Sequence, residues 1–153
     1  MPTFLKIYDP LLNMSSNDIL KIFSTEFDKL ENLVNLIKFN NDPTVNQIVQ
    51  VYYQITNLSS MIVVIKQQLK QSNAEILNAE KFISEIFDLT IHPKIMDHIV
   101  NSISNITTDL QSLNSVQKSK ETIENEAKLY EKLREIMSTK EFVKQYDSGL
   151  SND

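Results

Sequence analysis

Apolar residues recur along this chain at alternating steps of three and four, the spacing that keeps side chains on one side of an α-helix. The longest such series is Ile48, Val51, Ile55, Leu58, Ile62, Ile65, Leu69, Ser72, Ile76, Ala79, Ile83 and Ile86, with Ser72 its only polar member. A strand would alternate at every second residue, so the run MIVVI inside this series reads as helix, with Ile62 and Ile65 on the seam and Met61, Val63 and Val64 beside it. A face that wide requires two helical neighbours.

Upstream, Leu20, Phe23, Phe27, Leu30, Val34 and Ile37 repeat the rhythm behind the cap candidates Ser15, Ser16, Asn17 and Asp18. Downstream, Ile99, Ile103, Ile106, Leu110 and Leu113 continue it. The pattern weakens from Asn114 to Lys120, then Ile123, Ala127, Tyr130, Leu133 and Met137 resume it in a shifted phase. Asp42 before Pro43 predicts a cap with Pro at the first helical position, and Pro93 predicts a stop, because it disfavours helical geometry at His92.

The expected fold is therefore all-α, an elongated antiparallel three-helix coiled-coil bundle over 15–146: a helical hairpin plus a shorter N-terminal helix. The helices are expected at about 16–39, 43–89 and 94–140, after an extended segment at 1–14 and before a disordered tail at 147–153. The second helix would be roughly 65 to 70 Å long. The first is too short to cover it, so a strip of its apolar face is expected to be covered by another subunit.

Composition changes this picture mostly by exclusion. One glycine, Gly149, in 153 residues argues against the hairpin turns and phosphate-cradling loops that need positive φ. With no Cys there is no disulfide framework, which suits a reducing compartment. The net charge of −5, spread over 15 basic and 20 acidic residues, supplies no basic stripe for nucleic acid. MPTFLKIYDPLLNM is interrupted by Pro2, Lys6, Asp9 and Pro10, unlike a signal peptide, so the N-x-S/T sites at Asn13, Asn57 and Asn105 read as chance. No continuous apolar run approaches the ~20 residues of a membrane span, and no direct membrane insertion is expected.

Candidate chemistry is sparse. His92 and His98, the only histidines, are six apart and do not share a helical face as metal ligands three or four apart would. Asp97 and His98 are sequence neighbours pointing to different faces. Neither a metal, a cofactor nor a catalytic group is expected. The tyrosines Tyr52, Tyr53, Tyr130 and Tyr146 fall on or beside apolar seams and read as packing. The residues expected to form the core or interaction seam are Leu20, Phe23, Phe27 and Leu30 in the first helix. In the second they are Ile48, Ile55, Ile62, Ile65, Leu69, Ile76 and Ile83, and in the third Ile103, Leu110 and Tyr130.

Three segments, EFDKLENLVNLI, VYYQITNLSS and ENEAKLYEKLREIMSTKEFVKQYDSGL, in this order, resemble the smallest shoulder subunit of dynactin, the dynactin subunit 3 family. The resemblance implies a non-catalytic, cytoplasmic, cytoskeleton-associated scaffold for dynein-dependent transport that bundles with dynamitin and the large projecting-arm subunit. MPTFLKIYDPLLNM and the middle third have no counterpart in it. A nuclear kinetochore subunit, a tethering-complex subunit or a peripheral membrane-binding helical module stand as alternatives.

Overall fold

The computed structural model describes residues 14–69, 73–114 and 119–151, with side chains as far as residue 146. Among these residues every regular element is helical. The elements are α1 (Ser16–Lys38), α2 (Val45–Leu69), α3 (Ala74–Lys81), a π-helical segment (Phe82–Ile91), α4 (His92–Asn114) and α5 (Lys120–Ser151). Phe82 and His92, at the two junctions of the π-helical segment, keep right-handed helical dihedrals, so α3, the π segment and α4 form one rod. Four helical rods result, where three helices were expected.

The local causes are visible at each boundary. Ser15 caps α1 by accepting from the Asp18 amide at 3.3 Å. At α2 the expected Asp42 cap is replaced by a reciprocal box: the Thr44 hydroxyl accepts from the Gln47 amide at 3.1 Å, and the Gln47 side chain accepts from the Thr44 amide at 3.0 Å. Pro43 sits before the helix and not at its first position. The expected 43–89 helix ends instead at Leu69, and Asn73 starts a new one by accepting from the Glu75 and Ile76 amides at 2.9 and 3.3 Å. The seam passes through the break because Ile76 and Ala79 face the same core from a helix running the other way. Ser72, the segment before Met14 and the interruption at 115–118 lie outside the described residues.

Pro93 does not stop the chain. Proline in a helix lacks an N–H and crowds the carbonyl four residues back. The π segment ahead of it widens the turn, so that the His92 amide reaches back five residues to the Phe87 carbonyl, and the rod continues. α5 runs to Ser151.

The rods pack as an up-down-up-down bundle. α1 lies against α2 and against the π segment, α2 against α5, and α5 against α4. The core combines Ile19, Phe23 and Leu30 of α1 with Ile48, Ile55, Leu58 and Ile65 of α2, Phe87 and Ile91 of the π segment, Ile95 and Ile99 of α4, and Ile136 and Val143 of α5. Tyr52 lies at the centre, 2% exposed, with its ring edge-on to Phe87, His92, Phe142 and Tyr146 at 5.3, 5.7, 6.2 and 5.2 Å. Its hydroxyl is hydrogen-bonded to His92 Nδ1. Tyr146 donates to Asp88 Oδ1 at 2.6 Å, tying α5 to the π segment.

Two contacts mark the top of the four-helix body. Lys94 Nζ donates to the Ile37 and Lys38 carbonyls at 2.8 and 2.9 Å, placing a cation on the C-terminal end of α1. Val45, at the start of α2, shares a cleft with Arg134 and Glu135 of α5. Beyond Lys94, α4 runs on for ~30 Å, and the start of α5 lies ~20 Å above Arg134. α4 and α5 therefore project as a two-helix arm, where Leu110 is buried apart from the main core.

Candidate functional site

The seam residues expected from the sequence divide by depth. Phe23, Leu30, Ile48, Ile55, Ile62, Ile65, Ile76 and Leu110 are buried. Leu20, Phe27, Leu69, Ile83 and Ile103 are partly buried against the main cluster. Tyr130, expected on the core or interaction seam, lies on the outer side of α5 and is 47% exposed. The reason is a phase difference: α5 turns Leu129, Leu133, Ile136 and Val143 towards its neighbours, leaving the series Ile123, Tyr130 and Met137 outside at 55%, 47% and 50% exposure. Leu133, half-buried, lies where the two phases meet. The other tyrosines also divide, with Tyr52 buried, Tyr146 half-buried and Tyr53 exposed.

The core polar cluster of Tyr52, His92, Asp88 and Tyr146 pairs titratable groups in the manner of an acid–base site. Its rings fill the interior between α2, the π segment and α5, and the described surface clefts are lined by other residues. Among the described residues no three His, Asp or Glu side chains converge as metal ligands would. Glu26 accepts from Gln54 Nε2 at 2.8 Å, and from Lys29 Nζ at 3.1 Å. Burial pushes its carboxyl pKa up, but these two donors outweigh that and hold it below the ordinary 4.5. This is a tie between α1 and α2, since Gln54 also donates to the Glu26 carbonyl at 2.8 Å.

Two surfaces have the character of recognition sites. The first is an open cleft between α1 and α2, where Leu36, Phe39 and Tyr53 are exposed among the carboxamides Asn32, Asn35, Gln47 and Gln50. The second is the α5 stripe on the projecting arm. Val100 of α4, also exposed, adds apolar area to the arm. A stripe at seven-residue spacing matches the side-chain repeat of a docked helix.

α2 is long and apolar enough in overall composition to cross a membrane, although no continuous run in it is. Half of its most apolar stretch is buried within the bundle, and Ile48, Val51, Ile55, Leu58 and Ile65 face the other helices. A core helix meets the same criterion. Comparison with known protein families, with curated proteins and with solved structures finds no match to this chain.

Proposed function

We propose that this chain is a non-catalytic structural subunit of a multiprotein helical assembly, of the dynactin-like kind that serves dynein-dependent, microtubule-based transport in the cytoplasm. One observation carries the reading: a helical bundle whose core is filled by its own side chains also displays an apolar stripe at heptad spacing on a two-helix arm. Large apolar side chains in such register are costly to leave in water and are the usual mark of a helix–helix interface. The sequence resemblance supports dynamitin and the large projecting-arm subunit as the class of partner.

The test is affinity purification of the tagged chain from its native cell, followed by mass spectrometry. Stoichiometric recovery of dynamitin-like and projecting-arm-like subunits is the expected result. Recovery of a kinetochore or tethering set would replace the dynactin-like assignment, and recovery of the chain alone would remove the scaffold reading.

A further inference from the structure

We propose that the Ile123–Tyr130–Met137 stripe of α5 is the docking site for an amphipathic α-helix of a different protein, one with apolar residues at heptad spacing and Lys or Arg along its edge. The proposal rests on the scaffold reading and specifies its surface and its partner's chemistry.

The geometry comes first. Ile123, Ala127, Tyr130, Arg134 and Met137 follow one another at steps of four and three, so they form one continuous seam on α5. All five are exposed. Ile123 and Tyr130 lie on the arm above the ends of α1 and α2, where the described structure supplies only α4 as a neighbour. A third helix laid on this face would complete a three-helix cross-section there, with its own seven-residue repeat in register with the stripe.

Charge then selects the occupant. Glu124 and Glu131, both exposed, border the stripe one residue after Ile123 and Tyr130. A second copy of this chain is a poor match. Antiparallel self-pairing brings Glu124 of one copy to Glu131 of the other, and parallel self-pairing sets Glu131 against Glu126. A helix with Lys or Arg at its edge meets the two glutamates with opposite charge, which sets partner choice. Arg134, inside the seam, adds a register mark, because it favours a carboxylate at the facing position.

The experiment uses the full chain and two synthetic four-heptad helices identical in their Leu/Ile seam, one with Lys at the edge positions and its twin with Glu there. Binding of each labelled probe is followed by fluorescence anisotropy, with amide hydrogen exchange locating the contact. The Lys probe is expected to bind at least tenfold more tightly than the Glu twin and to slow exchange over 120–137. The pair E124K/E131K is expected to reverse that preference. Ile123→Ser with Tyr130→Ser should lower Lys-probe binding tenfold or more while the circular dichroism stays unchanged, since both side chains are already half exposed.

Equal binding of the two probes, binding by neither, or Lys-probe binding that survives the Ser pair would overturn the proposal. So would a dimer of the unmodified chain that the Ser pair abolishes, because the stripe would then belong to a second copy. The probes need no native partner. Charge-selective binding without a native assembly would leave the stripe standing and the scaffold reading refuted, and a native assembly with no probe selectivity would do the reverse.

Discussion

Replacing Tyr52 perturbs a side chain that bridges three of the four rods. Its ring is in contact with Phe87 and His92 of the third rod and with Phe142 and Tyr146 of α5, and its hydroxyl is hydrogen-bonded to His92. Tyr52→Phe keeps the ring and removes that hydrogen bond with His92, so the expected cost is about 1 to 2 kcal/mol. Tyr52→Ala also opens a cavity where a 2% exposed aromatic had been, which costs about 3 to 5 kcal/mol by itself. The ring pairs and the hydroxyl overlap with that cavity and do not add in full, so about 4 to 5 kcal/mol is expected. Total stabilities of domains lie near 5 to 15 kcal/mol, so this variant would be close to unfolding. Tyr53→Ala is the control. Tyr53 is 63% exposed and its main ring contact is Phe142 at 5.2 Å, so its loss should cost no more than about 1 kcal/mol. Urea unfolding followed by far-ultraviolet circular dichroism reads all three. A Tyr52→Ala cost under about 1 kcal/mol, or one equal to that of Tyr53→Ala, would refute the packing centre described above.

Ile65→Asp should cost several kcal/mol, because it puts an unpaired charge among fully buried side chains, while Val63→Asp, two residues away and exposed, should change stability little; equal melting temperatures would put α2 in the wrong rotation. Asn73→Ala removes the acceptor of two backbone amides and should cost about 1 kcal/mol, measured by urea midpoint, whereas no change would mean that α3 does not begin there. Glu26 has a folded pKa below its ordinary 4.5, so its contribution is fully present above 4.5 and is lost as pH falls below that value and through the lower folded pKa. An acid titration of stability with Glu26→Gln as comparison should show a shallower decline for the variant below about pH 4.5, and identical slopes would deny the coupling.

The sequence made the faces of the helices more legible than their ends. Nearly all the expected seam residues of the first two helices are buried or half-buried, because burial follows rotation about a helix axis and the three-four rhythm reports that rotation. The break between Leu69 and Ala74 leaves no mark in the pattern because no Gly or Pro stands there and Ile76 and Ala79 keep the rhythm in the antiparallel helix that follows. Its only local cue was Asn73, a capping residue with Glu75 two positions on. Pro93 misled in the other direction. Its restriction was real, but the widened π-helical hydrogen bonding before it absorbed the conflict without ending the helix. Tyr130 shows the limit of periodicity on a helix with two apolar series. α5 carries Ile123–Tyr130–Met137 and Leu129–Leu133–Ile136–Val143, and the choice between them is made by contacts with α2 and α4 that no local pattern contains.

The claim that this chain works as one member of a larger helical assembly is tested most directly by its native size. Sedimentation of the tagged chain in gentle extract from its own cells should show it moving in a discrete complex several times its own 17.7 kDa, dissociating to the free chain only at denaturing concentrations of urea. A chain that sediments throughout as a 17.7 kDa monomer would contradict the account.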